Sequence, residues 1–143
     1  VPGFDAPDLA DLSRQVWTAG RTDGVEAAKA LWLACPFFAQ ANRRSDAKAA
    51  LQQMVTDYSG WGWTERDPGT WGEPNMAARL GEISAPALIV VGERDIEGMR
   101  RAADALAREI PNAQKVVLPG LGHLPNMEDP AAFNAAVLKF LAG

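Results

Sequence analysis

The nine residues ALIVVGERD, Ala87 to Asp95, decide how the rest of the chain is read. An unbroken apolar run containing Ile89, Val90 and Val91, bounded by Pro86 and Gly92, has no polar face. That is the pattern of a strand buried on both sides in a parallel sheet. Working outward, Met99, Ala102, Ala103, Leu106 and Ile110 recur at helical spacing until Pro111 and predict a helix. QKVVLPG, residues 114–120, reads as a second strand. A closing helix starts at Pro130, with Phe133, Val137, Phe140 and Leu141 as its apolar stripe. The order from residue 87 onward is therefore β-α-β-α, which calls for parallel strands joined by a right-handed crossover.

Upstream of Ala87 the periodicity is helical. Leu9, Leu12, Val16 and Ala19 mark a first helix from Asp8 to about Ala19, with Gly20 as its stop. Thr22 or Asp23 is the expected N-cap of a second, with Val25, Ala28, Leu31, Trp32 and Cys35 on one face and Pro36 as terminator. Ser45 is the expected cap of a third, whose inward residues are Ala47, Ala50, Leu51, Met54, Val55 and Tyr58, up to Gly60. A short fourth helix, EPNMAARLGEI (73–83), carries Pro74 near its first turn. Between the third and fourth lies GWGWTERDPGTWGEP, 60–74, rich in turn formers yet holding Trp61, Trp63 and Trp71. It reads as a loop that packs down, its indoles either lining a pocket or stapling the helices together.

Both strands end in a glycine-containing turn that delivers one polar residue able to do chemistry: Asp95 after the first and His123, the only histidine, after the second. Ligands of open α/β sheets sit at the carboxyl ends of the strands, so parallel neighbours put both side chains on one rim. A carboxylate accepting the far N–H of an imidazole holds it in one tautomer and stabilises its cation, which is what a general base requires. Gly120 and Gly122 are read as the residues that let the backbone turn sharply enough to aim the ring. Each residue also has a plainer reading: Asp95 as the N-cap of the following helix, His123 as a structural side chain. Glu93, Arg94 and Asp129 are read as surface or capping groups, and Glu128 as a turn residue.

SAPALIVVGERD (84–95), RRAADALAREIPNAQ (100–114) and KVVLPGLGHLPNMEDPAAFNAAVLKFL (115–141) resemble the C-terminal part of an α/β-hydrolase, with Asp95 and His123 at the positions of the triad acid and histidine, 28 residues apart. The preceding helices resemble the cap of the esterase, lactonase and C–C hydrolase branch. The resemblance implies an α/β fold in two parts, a cap of about four helices over 1–82 and the C-terminal part of the hydrolase core over 83–143. It implies hydrolysis of a small carboxylic ester or lactone, with Trp61, Trp63, Trp71 and Phe37 as candidates for an apolar acyl pocket and no metal or organic cofactor. The family places its nucleophile earlier in the chain, on a G-x-S-x-G elbow. None of Ser13, Ser45, Ser59 or Ser84 has that context, so the 143 residues are expected to be inactive alone. Three other readings stay open: a non-catalytic, self-associating fragment or binding module, a C–C bond hydrolase, and a haloalkane dehalogenase with an aspartate nucleophile.

Composition narrows the partners. A net charge of -4, with no basic cluster longer than the pairs Arg43-Arg44 and Arg100-Arg101, gives no footprint for nucleic acid. The apolar runs fall short of the roughly 20 residues of a membrane span, and the acidic start VPGFDAPDLADL lacks the regions of a signal peptide. These features set a cytoplasmic expectation. Cys35, the single cysteine, sits in LWLACPFF and reads as a buried, inert thiol. Two parallel strands are too few for a free-standing sheet, so the uncovered edge is expected to be met by a second copy or by a complementing N-terminal half.

Overall fold

The structure, a computed structural model, describes residues 7–65 and 76–143. Helices α1 (Pro7–Thr22) and α2 (Val25–Leu33) are followed by 3-10 turns at Pro36–Phe38 and Ala41–Arg43, helix α3 (Ser45–Asp57) and the single turn α4 (Trp61–Thr64). A 3-10 stretch, Met76–Glu82, leads into strand β1 (Ala87–Gly92), helix α5 (Glu97–Glu109) and strand β2 (Ala113–Leu118). The chain closes with the short α6 (Pro125–Glu128) and α7 (Pro130–Leu141). The two strands pair in parallel, in register from Ala87 opposite Ala113 to Gly92 opposite Leu118. The β-α-β-α order is thus the observed one.

Local chemistry explains where the elements begin and end, and corrects several expectations. Gly20 does not stop α1, which runs on to Thr22. Its role is contact: a Cβ there would stand 2.5 Å from the carbonyl oxygen of Trp63, so the missing side chain lets α4 lie against α1. The N-cap of α2 is Gly24 at φ 93°, rather than Thr22 or Asp23. The Thr22 hydroxyl donates back to the Thr18 carbonyl instead. Ser45 is the first residue of α3, not its cap, and bonds Asp46 at 3.1 Å. Trp61 and Trp63 lie on the α4 turn rather than in an irregular loop, because Gly60 at φ 76° reverses the chain just before it. The fourth helix is 3-10 in its described part, and its Pro74 lies outside the described residues. Asp129 caps α7, its carboxylate accepting from the Ala132 N–H at 3.0 Å.

The main core gathers Cys35, Phe37, Phe38, Ala41, Ala47, Leu51 and Val55, all buried. Ile96, Met99, Leu124 and Met127 pack against it from the strand-end loops, α5 and α6. The helical and β-α-β-α segments therefore share one apolar interior, and the loops leaving both strands lie at the seam. Strand β1 departs from the expectation of burial on both sides: Val91 and Gly92 are buried, but Ala87 to Val90 only half so. Among the described residues β1 has a single strand neighbour, and a groove lined by Ile89, Val90, Ala102 and Leu106 runs beside it. Leu31 and Leu141, expected inward, are exposed, Leu141 at 72%. No helix among the described residues is long and apolar enough to cross a membrane.

Candidate active site

Asp95 and His123 meet at the carboxyl ends of the two strands. The Asp95 N–H donates to the Gly92 carbonyl at 3.2 Å, closing the turn after β1, and its carboxylate accepts from the Ile96 N–H at 2.7 Å. The Asp95 side chain is 6% exposed and that of His123 32%. The imidazole Nδ1 lies 3.0 Å from Asp95 Oδ2 and 3.2 Å from Oδ1. An ionised carboxylate only accepts, so Nδ1 carries the proton and Nε2 is left with its lone pair free. The ring of Phe37 lies on the imidazole, centroids 4.3 Å apart and planes inclined at 38°.

The loop that carries His123 is bonded at almost every residue. Leu118 accepts from the Glu93 N–H at 2.9 Å, and Leu121 accepts from the Arg94 N–H at 2.8 Å. The Gly120 N–H donates to the Glu93 carboxylate at 2.8 Å. The Glu128 carboxylate accepts from Gly122 at 2.6 Å and from Leu124 at 3.3 Å, the two amides flanking His123. The glycines play separate roles. Gly120 has φ 69°, a turn conformation that L side chains rarely adopt. Gly122 is needed for space, since a Cβ there would stand 2.9 Å from the side chain of Gln40.

A cavity of about 590 Å³ opens in front of the imidazole. Its walls are aromatic (Trp32, Phe37, Phe38, Tyr58 and Trp63) and methionine-rich (Met54, Met99 and Met127), and His123 forms part of them. Phe37 and Trp63 are thus brought to the ring. Trp61 is not: it is 57% exposed and absent from the described lining. Trp71 lies outside the described residues. Trp63 is held edge-on by Tyr58, centroids 4.8 Å apart, whose hydroxyl accepts from the Gly62 N–H at 3.1 Å. Sequence reasoning placed Trp32, Met54, Tyr58 and Met99 on inward helical stripes without marking them as cavity wall. Phe38, Met127 and the clamp made by Glu128 went unmarked. Among the described residues no three histidine, cysteine or acidic side chains converge as metal ligands.

Cys35 sits behind this wall, 3% exposed. Burial raises its thiol above the ordinary value, opposed by the backbone amides of Phe37 and Phe38. The thiol is therefore expected to react with iodoacetamide at pH 8 far more slowly than a free cysteine, and at a free-thiol rate once urea unfolds the chain. The same shift has a sign for stability. The folded thiol holds its proton more tightly than the unfolded one, so this group's contribution is fully present below the ordinary thiol value and is lost as pH rises from there through the raised folded value.

Two strand-end loops thus bring together a carboxylate and an imidazole, the imidazole lining an apolar cavity under helices on an α/β framework. Residues 1–136 match the model of the alpha/beta hydrolase family, and the chain belongs to that family. It is 27% identical over 122 residues to a putative 2-succinyl-6-hydroxy-2,4-cyclohexadiene-1-carboxylate synthase of Bacillus subtilis (strain 168), covering 83% of this chain and 44% of that protein. It is 40% identical over 68 residues to a 2-hydroxy-6-oxononadienedioate/2-hydroxy-6-oxononatrienedioate hydrolase of Pseudomonas putida, covering 48% of this chain and 24% of that one. Among solved structures, MenH from S. aureus superposes with a TM-score of 0.79 at 28% identity, covering 92% of this chain and 50% of that one. The chain spans about half the length, or less, of these relatives.

Proposed function

We propose that the 143 residues are the cap and the acid–histidine half of a hydrolase for a small, apolar carboxylic ester or lactone. Residues 1–82 form the cap in this reading, and 83–143 the C-terminal part of the core. His123 takes the proton of a nucleophile through Nε2 and returns it to the leaving group, while Asp95 holds the tautomer and stabilises the imidazolium. The nucleophile and the donors for the developing oxyanion come from a segment outside these residues, either a complementing N-terminal half or a longer chain. The uncovered edge of β1 is the place where such a segment would add its strand.

The observation that carries this reading is the Asp95–His123 hydrogen bond at 3.0 Å beside a cavity with an apolar wall. Acyl groups without charge suit that wall. A second reading, C–C bond hydrolysis, is favoured by the 40% identity over 68 residues to the nonadienedioate hydrolase. A dienedioate carries two carboxylates, however, and the described lining offers no lysine or arginine to receive them. The test supplies the chain, mixed or joined, with an N-terminal half bearing a G-x-S-x-G elbow, and offers p-nitrophenyl butyrate and a 2-hydroxy-6-oxo-dienedioate in parallel. Ester turnover that needs both halves, with little on the dienedioate, is the expected result. The opposite preference supports the second reading. Turnover by the 143 residues alone, or none from the pair, removes the first.

A further inference from the structure

We infer that Glu128 is a positioning residue for His123, a role that rests on the reading of His123 as general base. Glu128 is a buried charged residue, 7% exposed, and the mechanism assigns it no part. A carboxylate that deep is costly unless its lone pairs are engaged. Its two oxygens are engaged by the peptide N–H groups immediately before and after the histidine: Gly122 at 2.6 Å and Leu124 at 3.3 Å. The Gly122 bond has the short length of a strong charge-assisted contact and the Leu124 bond is the longer, weaker one; together they restrain the backbone on both sides of His123. With the 121–122 and 123–124 peptides both held, the backbone between them, and with it the direction of the His123 Cα–Cβ bond, is restrained. The remaining freedom is two side-chain torsions, which Asp95 and the Phe37 ring restrict.

The clamp has its own support. Glu128 ends α6, whose turn is closed by the Glu128 N–H donating to the Leu124 carbonyl at 2.8 Å, so Leu124 is bonded to Glu128 through both its N–H and its C=O. A Cβ on Gly122 would stand 2.9 Å from the Gln40 side chain and 3.0 Å from the Glu128 carboxylate, so the glycine is what lets the carboxylate close on this amide. A residue that merely ended a turn would need none of this. The arrangement places a buried anion one residue from the imidazole on either side while leaving Asp95 as the ring's own partner.

The test reads the single imidazole of the 143-residue chain by 15N–1H correlation spectra, which report the nitrogen that carries the proton. The wild-type chain is expected to show the Nδ1–H form. Glu128→Gln keeps the size but leaves an acceptor for only one of the two amides, and roughly a fivefold shift toward Nε2–H is expected, about that of one lost ordinary hydrogen bond. Gly122→Ala puts a methyl against both the Gln40 side chain and the Glu128 carboxylate, and a shift in the same direction is expected. A folded Glu128→Gln chain with an unchanged tautomer ratio overturns the inference, and so does failure of both variants to fold, since Glu128 is then a strut. The readout is the ring and not turnover. Failure here leaves the hydrolase reading standing, whereas turnover that survives His123→Ala removes that reading and leaves the clamp intact.

Discussion

In the complemented enzyme, His123→Ala is expected to lower kcat on p-nitrophenyl butyrate by about 10⁴ or more, with KM changed far less. The reason is that the imidazole acts on the proton in flight and holds no part of the substrate in place. Asp95→Asn should cost about 10⁴ as well, for a different reason. The carboxylate accepts from Nδ1 at 3.0 Å. An asparagine amide can turn its NH2 toward that nitrogen, which moves the ring proton to Nε2 and removes the base. The two variants are therefore separable in the spectrum of the ring: one has no imidazole signal, the other a folded chain with the opposite tautomer. Stopped assays at saturating ester give kcat, and a series of ester concentrations gives the split from KM. Asp95→Asn retaining wild-type kcat would refute the relay and leave Asp95 as a turn residue that accepts from the Ile96 N–H, since the N-cap of α5 is Ile96 and not Asp95.

The β-α-β-α part was legible because its punctuation is chemical. Pro86 and Gly92 bound an apolar run too short for a helix, Pro111 stops α5, and Pro130 can occupy only the first turn of α7. Once the strands are parallel, Asp95 and His123 must share a rim, so the pair followed from topology. Burial of β1 on both faces does not hold along its first four residues, since a periodicity describes the sheet a strand was selected for, and β1 has one strand neighbour among the described residues.

The helical part was legible as helices and illegible at its joints. Gly20 looks like a stop in sequence because glycine disfavours a helix interior. What decides its place is the Trp63 carbonyl, a group more than forty residues away that no local pattern reports. The cavity was hidden for a related reason. Trp32, Met54 and Tyr58 have the spacing of a core stripe, and a stripe facing a cavity looks the same as one facing a neighbour. Only the third dimension separates Ala47, Leu51 and Val55, which are buried, from Met54 at 61% exposure. Glu128 did leave a faint signal: a carboxylate four residues after Leu124 is within reach of the amides ahead of it once the chain turns.

Gly92→Ala is expected to be severely damaging for a single added methyl. Gly92 ends β1 opposite Leu118, and a Cβ built on it would overlap the carbonyl oxygens of Gly122 and Leu121 and stand 2.6 Å from the Leu121 carbonyl carbon. All three are backbone atoms, so no side chain can rotate away. The 118–124 loop must lift, which breaks the Arg94 N–H to Leu121 bond at 2.8 Å and draws His123 from Asp95. Overpacking of this kind costs about 1–3 kcal/mol, and lost buried hydrogen bonds add about 1 kcal/mol each. Gly120→Ala is the control: its added Cβ meets nothing within 4 Å, so only the φ of 69° is charged against it, about 1–2 kcal/mol. Urea unfolding should therefore rank Gly92→Ala well below Gly120→Ala, and the Nδ1–H signal of His123 should be lost in the first while surviving in the second. Equal midpoints for the two variants would mean that the loop is free to move aside, and that the close approach of the two strand ends is not what holds the imidazole on its acid.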